Sequence, residues 1–192
     1  MALTFVPVDQ APWADLQAIF GDRGDPARCR CQYFKDTPAQ WRSGTAEERA
    51  ERLRTQTAEH ATGLVAYVDG EPAGWCAVEP RTAYRRLLGS RLVWAGRDED
   101  PSDDGVWAVT CFVTRKGFRR RGVSAALAGA AVGFARERGA RAVEGYPMLV
   151  EPGEKLAWPG ELFVGTSGVF AAAGFTEVSR PTARRVVMRL TC

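Results

Sequence analysis

The sequence predicts an α+β fold: one mixed sheet, mostly antiparallel, with a single parallel βαβ crossover. Three observations carry this. Residues 64–68, the pair Asp69-Gly70 and residues 72–79 form a hairpin pattern, because Asp-Gly suits a type I′ turn with positive φ at both central residues. Residues 106–113 and 142–146 are apolar strands joined by one long helical stretch, which gives a parallel crossover. Residues 175–178 and 184–190 pair as a terminal antiparallel hairpin.

The remaining elements follow in order. Residues 3–8 read as a short opening strand, with Pro7 confining it to an edge or marking its end. Residues 13–20 carry apolar side chains at 13, 16, 19 and 20, a helical spacing, and Gly21 and Gly24-Asp25-Pro26 break that helix. Thr45 with Glu48 makes a capping box for a surface helix running to about residue 59, with a narrow apolar stripe of Ala46, Ala50 and Leu53 and a Glu48–Arg52 pair. In residues 72–79 alternation places Trp75, Ala77 and Glu79 on one face and Gly74, Cys76 and Val78 on the other. Residues 81–88 read as a short helix, and the acidic run at 96–105 as a solvated surface loop. After residue 124 a helix extends to about 138, burying Leu127, Ala131, Phe134 and Ala135, while Ala128, Gly129 and Gly133 let it approach the sheet closely. Residues 146–165 form a Pro/Gly loop, and residues 166–173 a short helix capped by Thr166 or Ser167 and stopped by Gly174.

The centre of the sequence is the stretch 109–138, a strand that delivers a basic glycine turn to a helix start. The first turn of a helix has unpaired N–H groups and partial positive charge, and a glycine lets backbone approach a ligand. Arg115, Lys116, Arg119, Arg120 and Arg121 surround Gly122. The arrangement points to a phosphate-bearing ligand.

Composition excludes several classes. The 192 residues are 45% apolar, enough for one domain over residues 1–192 with its own core. The formal charge of +3 is too small to indicate a nucleic-acid partner, and no stretch is apolar enough to span a membrane. The start of the chain lacks the pattern of a secretory signal, and five scattered cysteines fit reduced thiols, so a cytoplasmic location is expected. Cys29 and Cys31 are one residue apart, but no second pair and only one histidine accompany them. No metal site is expected, and these thiols read as core or pocket wall beside Tyr33, Phe34 and Trp41.

The residues of this turn bring in a family resemblance. Arg119, Gly122 and Ser124 occupy the Gln/Arg-x-x-Gly-x-Gly/Ala signature of the GNAT superfamily of acyl-CoA-dependent N-acetyltransferases, with Ser in place of the last Gly/Ala. The ending FAAAGFTEV, with Gly174-Phe175, resembles the helix and Gly-Phe element before that family's sixth strand. The resemblance spans residues 4–190 and implies a GNAT-like fold with splayed central strands.

It also implies a function: transfer of an acetyl group from acetyl-CoA to a primary amine by direct attack on the thioester. The backbone of Cys111, Phe112 and Val113 would hold the pantetheine arm, and the turn from Arg119 through Arg120, Arg121, Gly122 and Val123 to Ser124 the pyrophosphate. An N–H near Phe112 or Val113 would stabilise the oxyanion. Many family members place a proton-donating Tyr four residues before the Gly of the Gly-Phe pair; here that residue is Phe170. An amine must lose a proton to attack, so a base is needed. Glu79 and Glu144 are the candidates, against readings as a strand-end carboxylate and as an arginine partner. Tyr33, Trp75 and Tyr146 are candidate contacts for a small-molecule or peptide amine. Cys111 lies where the thioester would pass, which raises an acyl-cysteine route that direct transfer makes unnecessary. The chain-end strands are consistent with a homodimer. Two other classes stay open: a non-catalytic acyl-CoA-binding regulator, in keeping with Phe170, and a nucleic-acid module using the basic turn.

Overall fold

The computed structural model describes residues 2–150 and 159–192, so the middle of the predicted Pro/Gly loop lies outside the described residues. The chain opens with β1 (Leu3–Pro7), a 3-10 turn (Val8–Gln10) and α1 (Trp13–Phe20). Gly24-Asp25-Pro26 does not simply break the chain. It starts a short helix, α2 (Gly24–Cys29), where Pro26 sits in the first turn and its missing N–H leaves no intrahelical bond unmade. That helix ends on two consecutive left-handed residues, Arg30 (φ 48°) and Cys31 (φ 52°), neither of them glycine.

Next comes α3 (Pro38–Ser43), with Pro38 at its first position and a capping box between Thr37 and Gln40. Then α4 (Ala46–Glu59) carries the predicted Thr45–Glu48 box. Its buried stripe is Arg49, Leu53 and Thr57 rather than Ala46 and Ala50. Glu48 reaches the Thr45 N–H, and Arg52 turns to Asp36 at 2.9 Å instead of to Glu48.

The hairpin β2 (Gly63–Val68) and β3 (Glu71–Pro80) closes on Asp69 (φ 52°) and Gly70 (φ 83°), the predicted turn geometry. A 3-10 turn (Arg81–Ala83), α5 (Arg85–Leu88) and α6 (Arg91–Trp94) lead to the acidic run. That run is only partly solvated: Glu99 is held by Arg81, Arg97 and Arg189, and Asp103 by Arg141. The centre follows as β4 (Val106–Thr114), α7 (Val123–Arg136) and β5 (Ala142–Gly145), then a 3-10 segment (Pro159–Val164), α8 (Ser167–Ala172), β6 (Thr176–Thr182) and β7 (Arg185–Thr191).

The seven strands form one sheet in the order β1-β2-β3-β4-β5-β7-β6, with β1 at an edge. All neighbours are antiparallel except β4 and β5, which pair in parallel. On one face α7 buries Leu127, Ala128, Ala131, Phe134 and Ala135 against Cys76, Val78, Val109 and Phe112. Gly129 and Gly133 do not mediate that approach, for they are exposed with open space around them. The close contact lies at Gly74, where an added Cβ would stand 2.7 Å from Val123 Cγ1. On the other face α1 and α4 cover Val65, Trp75, Ala77, Cys111 and Val113. Among the described residues no helix is long and apolar enough to cross a membrane.

Candidate active site

The parallel pairing of β4 with β5 covers only Val106–Val109 against Ala142–Gly145. Beyond it Tyr146 and Pro147 lead the chain away, and Pro147 has no N–H to donate. Residues 111–114 stay paired to β3 but, among the described residues, have no strand on the β5 side. This is the splay, and it leaves an open backbone edge.

One extra residue enters β4 at the mouth of the splay. Val78 faces Val109 and Ala77 faces Cys111, so Thr110 has no opposite number. A bulge of this kind re-aims side chains. Both Thr110 and Cys111 thereby line the same cleft, while Phe112 turns into the core below α7. The sequence carries no glycine to mark the bulge.

The open edge leads to the start of α7. Gly122 sits at its N-cap with φ 76°, a conformation that favours glycine, and an added Cβ there would meet nothing within 4 Å. No side chain caps the helix, and among the described residues its first N–H groups have no acceptor before that of Ala126, which donates to the Gly122 carbonyl. Arg119, Arg120 and Arg121 are exposed around this point, and Arg119 Nε donates to the Thr114 carbonyl at 3.3 Å. Ser124 and Thr114 share a hydroxyl hydrogen bond of 3.1 Å, which ties the helix start to the end of β4. The site is therefore an exposed, uncapped helix N-terminus with three guanidiniums and a strand edge running inward from it.

At its inner end the edge meets a cleft of about 730 Å³. Tyr33, Phe34 and Trp41 build one wall, Tyr33 meeting the other two rings edge-on at 5.2 and 5.1 Å. Tyr146, Phe163 and Val187 also line it. Of the candidate substrate contacts, Tyr33 and Tyr146 line this cleft. Trp75 lies behind the wall, only 1% exposed, with its indole N–H donating to Cys31 Sγ at 3.2 Å. Cys31 Sγ in turn stands 2.8 Å from Cys111 Sγ. The left-handed backbone at Arg30 and Cys31 brings this thiol against β4. Its hydrogen bond with Cys31, and then burial, push the Cys111 thiol well above its usual range. Burial pushes Cys29 up to about 12. Among the described residues no cluster of His, Cys, Asp or Glu is placed to hold a metal ion.

The two carboxylates separate into different surroundings. Glu144 is fully buried on β5. One oxygen takes Arg97 and Arg189, and the other takes the Tyr146 hydroxyl at 2.7 Å with Arg81 at 3.8 Å. Glu99 joins this cluster from the acidic run. Burial pushes its carboxyl up, but hydrogen bonds from Arg189 and Arg97 outweigh burial and bring it down to about 2. Burial and the Glu144 charge raise the Tyr146 phenol well above its usual range, so it is a hydrogen-bond donor to Glu144.

Glu79 is also buried, but its partners are few: Lys35, and His60 Nε2 at 3.1 Å. The His60 side chain is 55% exposed, so this pair opens to solvent. Tyr84 is fully buried, and both Glu79 and the cleft-lining Thr110 act on its phenol. Its phenol is raised by burial and by the Glu79 charge, and lowered by the Thr110 hydroxyl beside it. The Tyr84 and Thr110 hydroxyls lie close without an aligned hydrogen bond, each buried and unpartnered. Sequence reasoning missed Tyr84, Thr110 and Lys35, because only the fold brings Lys35 to Glu79 and sets Tyr84 beside Thr110.

Phe170, at the position of the family's tyrosine, is fully buried between Phe112 and Phe175, with ring centroids 5.6 and 5.1 Å away. A Cβ at Gly145 would collide with its ring, so Gly145 and Phe170 fit as a pair.

Comparison with known proteins agrees with this architecture. A search of curated proteins found no match. Among solved structures, the N-acetyltransferase from Staphylococcus aureus Mu50 superposes with a TM-score of 0.55 at 13% identity, covering 100% of this chain and 99% of that one. Aminoglycoside acetyltransferase AAC(6')-Ib in complex with coenzyme A gives 0.56 at 16%, over 99% and 95%. Ribosomal-protein-alanine N-acetyltransferase from Brucella melitensis gives 0.52 at 16%, over the whole of both chains. At these identities the likeness is one of fold. The model of the acetyltransferase (GNAT) family matches residues 27–146, well over half of the sequence. This chain belongs to the GNAT acetyltransferase family.

Proposed function

We propose that this protein transfers an acetyl group from acetyl-CoA to a primary amine by direct attack of the amine on the thioester. One observation carries the reading: a single open edge of β4 connects the uncapped start of α7 to the inner cleft. The pyrophosphate fits the N–H groups of Val123 and Ser124, with Gly122 leaving room and Arg119, Arg120 and Arg121 supplying charge. The pantetheine arm fits the backbone of Cys111, Phe112 and Val113 as an added strand, which places the thioester at the bulge. An N–H of that segment is the donor for the oxyanion, positioned before the reaction begins.

The attacking amine has to shed a proton. Glu79 suits this role better than Glu144, whose oxygens are already committed to two arginines and a phenol. The proton's route from the cleft is Thr110, Tyr84 and Glu79, with His60 at the solvent end and water completing the hydrogen bonds. Phe170 offers no proton to the leaving thiolate, and Tyr146 is engaged with Glu144. The coenzyme leaves as a thiolate, tolerable for a thiol whose ordinary pKa is about 8.5. The Cys111 thiol, raised by its hydrogen bond with Cys31 and by burial, is a poor nucleophile, and direct attack by the amine needs no acyl-cysteine.

A second reading keeps the acyl-CoA cradle without catalysis, and the observation that favours it is Phe170. Both predict acetyl-CoA binding by titration calorimetry. Only the first predicts amine-dependent release of free thiol. Binding without any amine-dependent release would establish the regulator; absence of binding would remove both.

A further inference from the structure

We infer that the acceptor is an amine on an apolar or aromatic body that also carries a carboxylate, as an apolar α-amino acid does, and that Arg185 receives that carboxylate. The inference rests on the acyl-transfer reading and concerns the other substrate of the same cleft.

The walls favour an apolar body. Tyr33, Phe34, Trp41, Leu92, Val93 and Phe163 all line the cleft. One face of each of two rings is already covered by a cation: the Arg49 guanidinium lies 4.0 Å from the Trp41 ring centre and the Arg86 guanidinium 4.2 Å from that of Tyr33. With a guanidinium already on each, these rings make a poor cage for a second cation. The rings offer edges and apolar area.

The charges oppose a polycation. Among the described lining residues the one acid is Asp25, and it already binds Arg28 at 2.6 Å. The cations are Arg28, Arg49 and Arg185. A ligand with several ammonium groups meets like charge here and finds no spare carboxylate.

Arg185 stands apart from the other two. Arg28 is spent on Asp25. Arg49 donates to the carbonyls of Trp41 at 2.6 Å and Gly44 at 2.9 Å. For the Arg185 guanidinium no hydrogen bond or ion pair is present among the described residues, although the residue is half-buried. It opens β7 and alternates with Val187, which packs beside Tyr146, so both side chains point to the cleft side of the sheet. A half-buried fork of donors without an acceptor fits a carboxylate in two-pronged fashion. The amine of an α-amino acid bound this way lies within a few bonds of the carboxylate, in the same cleft that Thr110 and Cys111 of the β4 bulge line.

The test compares L-phenylalanine, phenethylamine and kanamycin as acceptors in a thiol-release assay, with acetyl-CoA affinity measured separately by calorimetry. Phenethylamine is phenylalanine without its carboxylate. Phenylalanine is expected to exceed phenethylamine by about tenfold or more in kcat/KM, and kanamycin to give no turnover. Arg185→Gln should bring the phenylalanine-to-phenethylamine ratio close to one, and Arg185→Glu should invert it, both with acetyl-CoA affinity kept. A protein that binds acetyl-CoA but acetylates phenethylamine or kanamycin as readily as phenylalanine overturns the inference alone. So does a ratio untouched by Arg185→Gln, or turnover of no carboxylated amine. A protein that does not bind acetyl-CoA overturns the acyl-transfer reading beneath it.

Discussion

The two ends of the site are made of different material. The outer end, from the open edge of β4 to the start of α7, is almost all backbone: strand N–H and C=O groups, helix N–H groups and a glycine. The inner cleft is almost all side chain: aromatic rings from the stretch after α2, a thiol pair, two hydroxyls and a guanidinium from β7. In the proposed function, backbone recognises what every donor shares, a pantetheine arm and a diphosphate, and side chains recognise what differs between acceptors. The fold can therefore be kept at 13–16% identity to solved acetyltransferases while the inner cleft takes its own chemistry.

The strongest way to break this division is at Gly122. Its φ of 76° strains any other residue, and the space above it is open. In Gly122→Trp the new side chain would fill that space without colliding with the core. Acetyl-CoA affinity is expected to fall by at least a hundredfold in calorimetry, while the fold loses only about 1–2 kcal/mol from the backbone strain. Wild-type affinity in the folded variant would remove the outer end as the cofactor cradle.

Glu79→Gln tests the inner end. The variant keeps the shape but cannot take a proton, so kcat should drop roughly a hundredfold with acetyl-CoA affinity kept, in line with general-base effects. Glu144→Gln separates the two carboxylates. Removing the charge that holds Arg97 and Arg189 should cost about 3 kcal/mol in denaturant melts, yet the folded fraction should turn over close to normally. If Glu144→Gln abolished turnover at full stability, the base would move to β5.

The outer end was legible in the sequence because its information is local. Arg119, Gly122 and Ser124 lie within six residues, and a strand before them with a helix after them defines the geometry. The same locality made the Asp69-Gly70 hairpin and the Thr45 capping box readable. The inner end was not, because it is assembled across the chain. Cys31 meets Cys111 across 80 residues, and Arg185 comes from the last strand. The bulge at Thr110 has no compositional mark, since any residue can occupy it. The glycines of α7 show the limit of composition alone: Gly129 and Gly133 suggested a close helix–sheet contact, but the tight place is Gly74 on the sheet. Glu144 was recognisable as a carboxylate inside a strand, though not that three arginines from three separate segments would gather around it.

A smaller effect sharpens the role of the inner wall. The Tyr146 hydroxyl donates to buried Glu144. Tyr146→Phe leaves the ring in the cleft and removes this hydrogen bond, so the melting transition should report a loss of about 1.5–3 kcal/mol, the range for a bond to a charged group. Turnover should stay within a few-fold. A fall in kcat of two orders of magnitude would instead make the phenol the acid that Phe170 does not supply.

The smallest expected effect concerns Cys111, and it is informative because it is small. The thiol lies at the bulge, where the proposed function puts the thioester, so an acyl-cysteine route needs it absolutely. Direct transfer needs only the backbone of that residue. Cys111→Ala keeps the backbone and removes the thiol, leaving a small gap beside Cys31. Stability should fall by about 1 kcal/mol for the lost buried volume, and kcat should remain within about threefold of the parent, well under the hundredfold or more that loss of a nucleophile costs. Rapid mixing with acetyl-CoA alone should show no burst of thiol in either protein. A burst in the parent that vanishes in Cys111→Ala would move part of the chemistry from the backbone of β4 to its side chains, and with it the line between the two ends of the site.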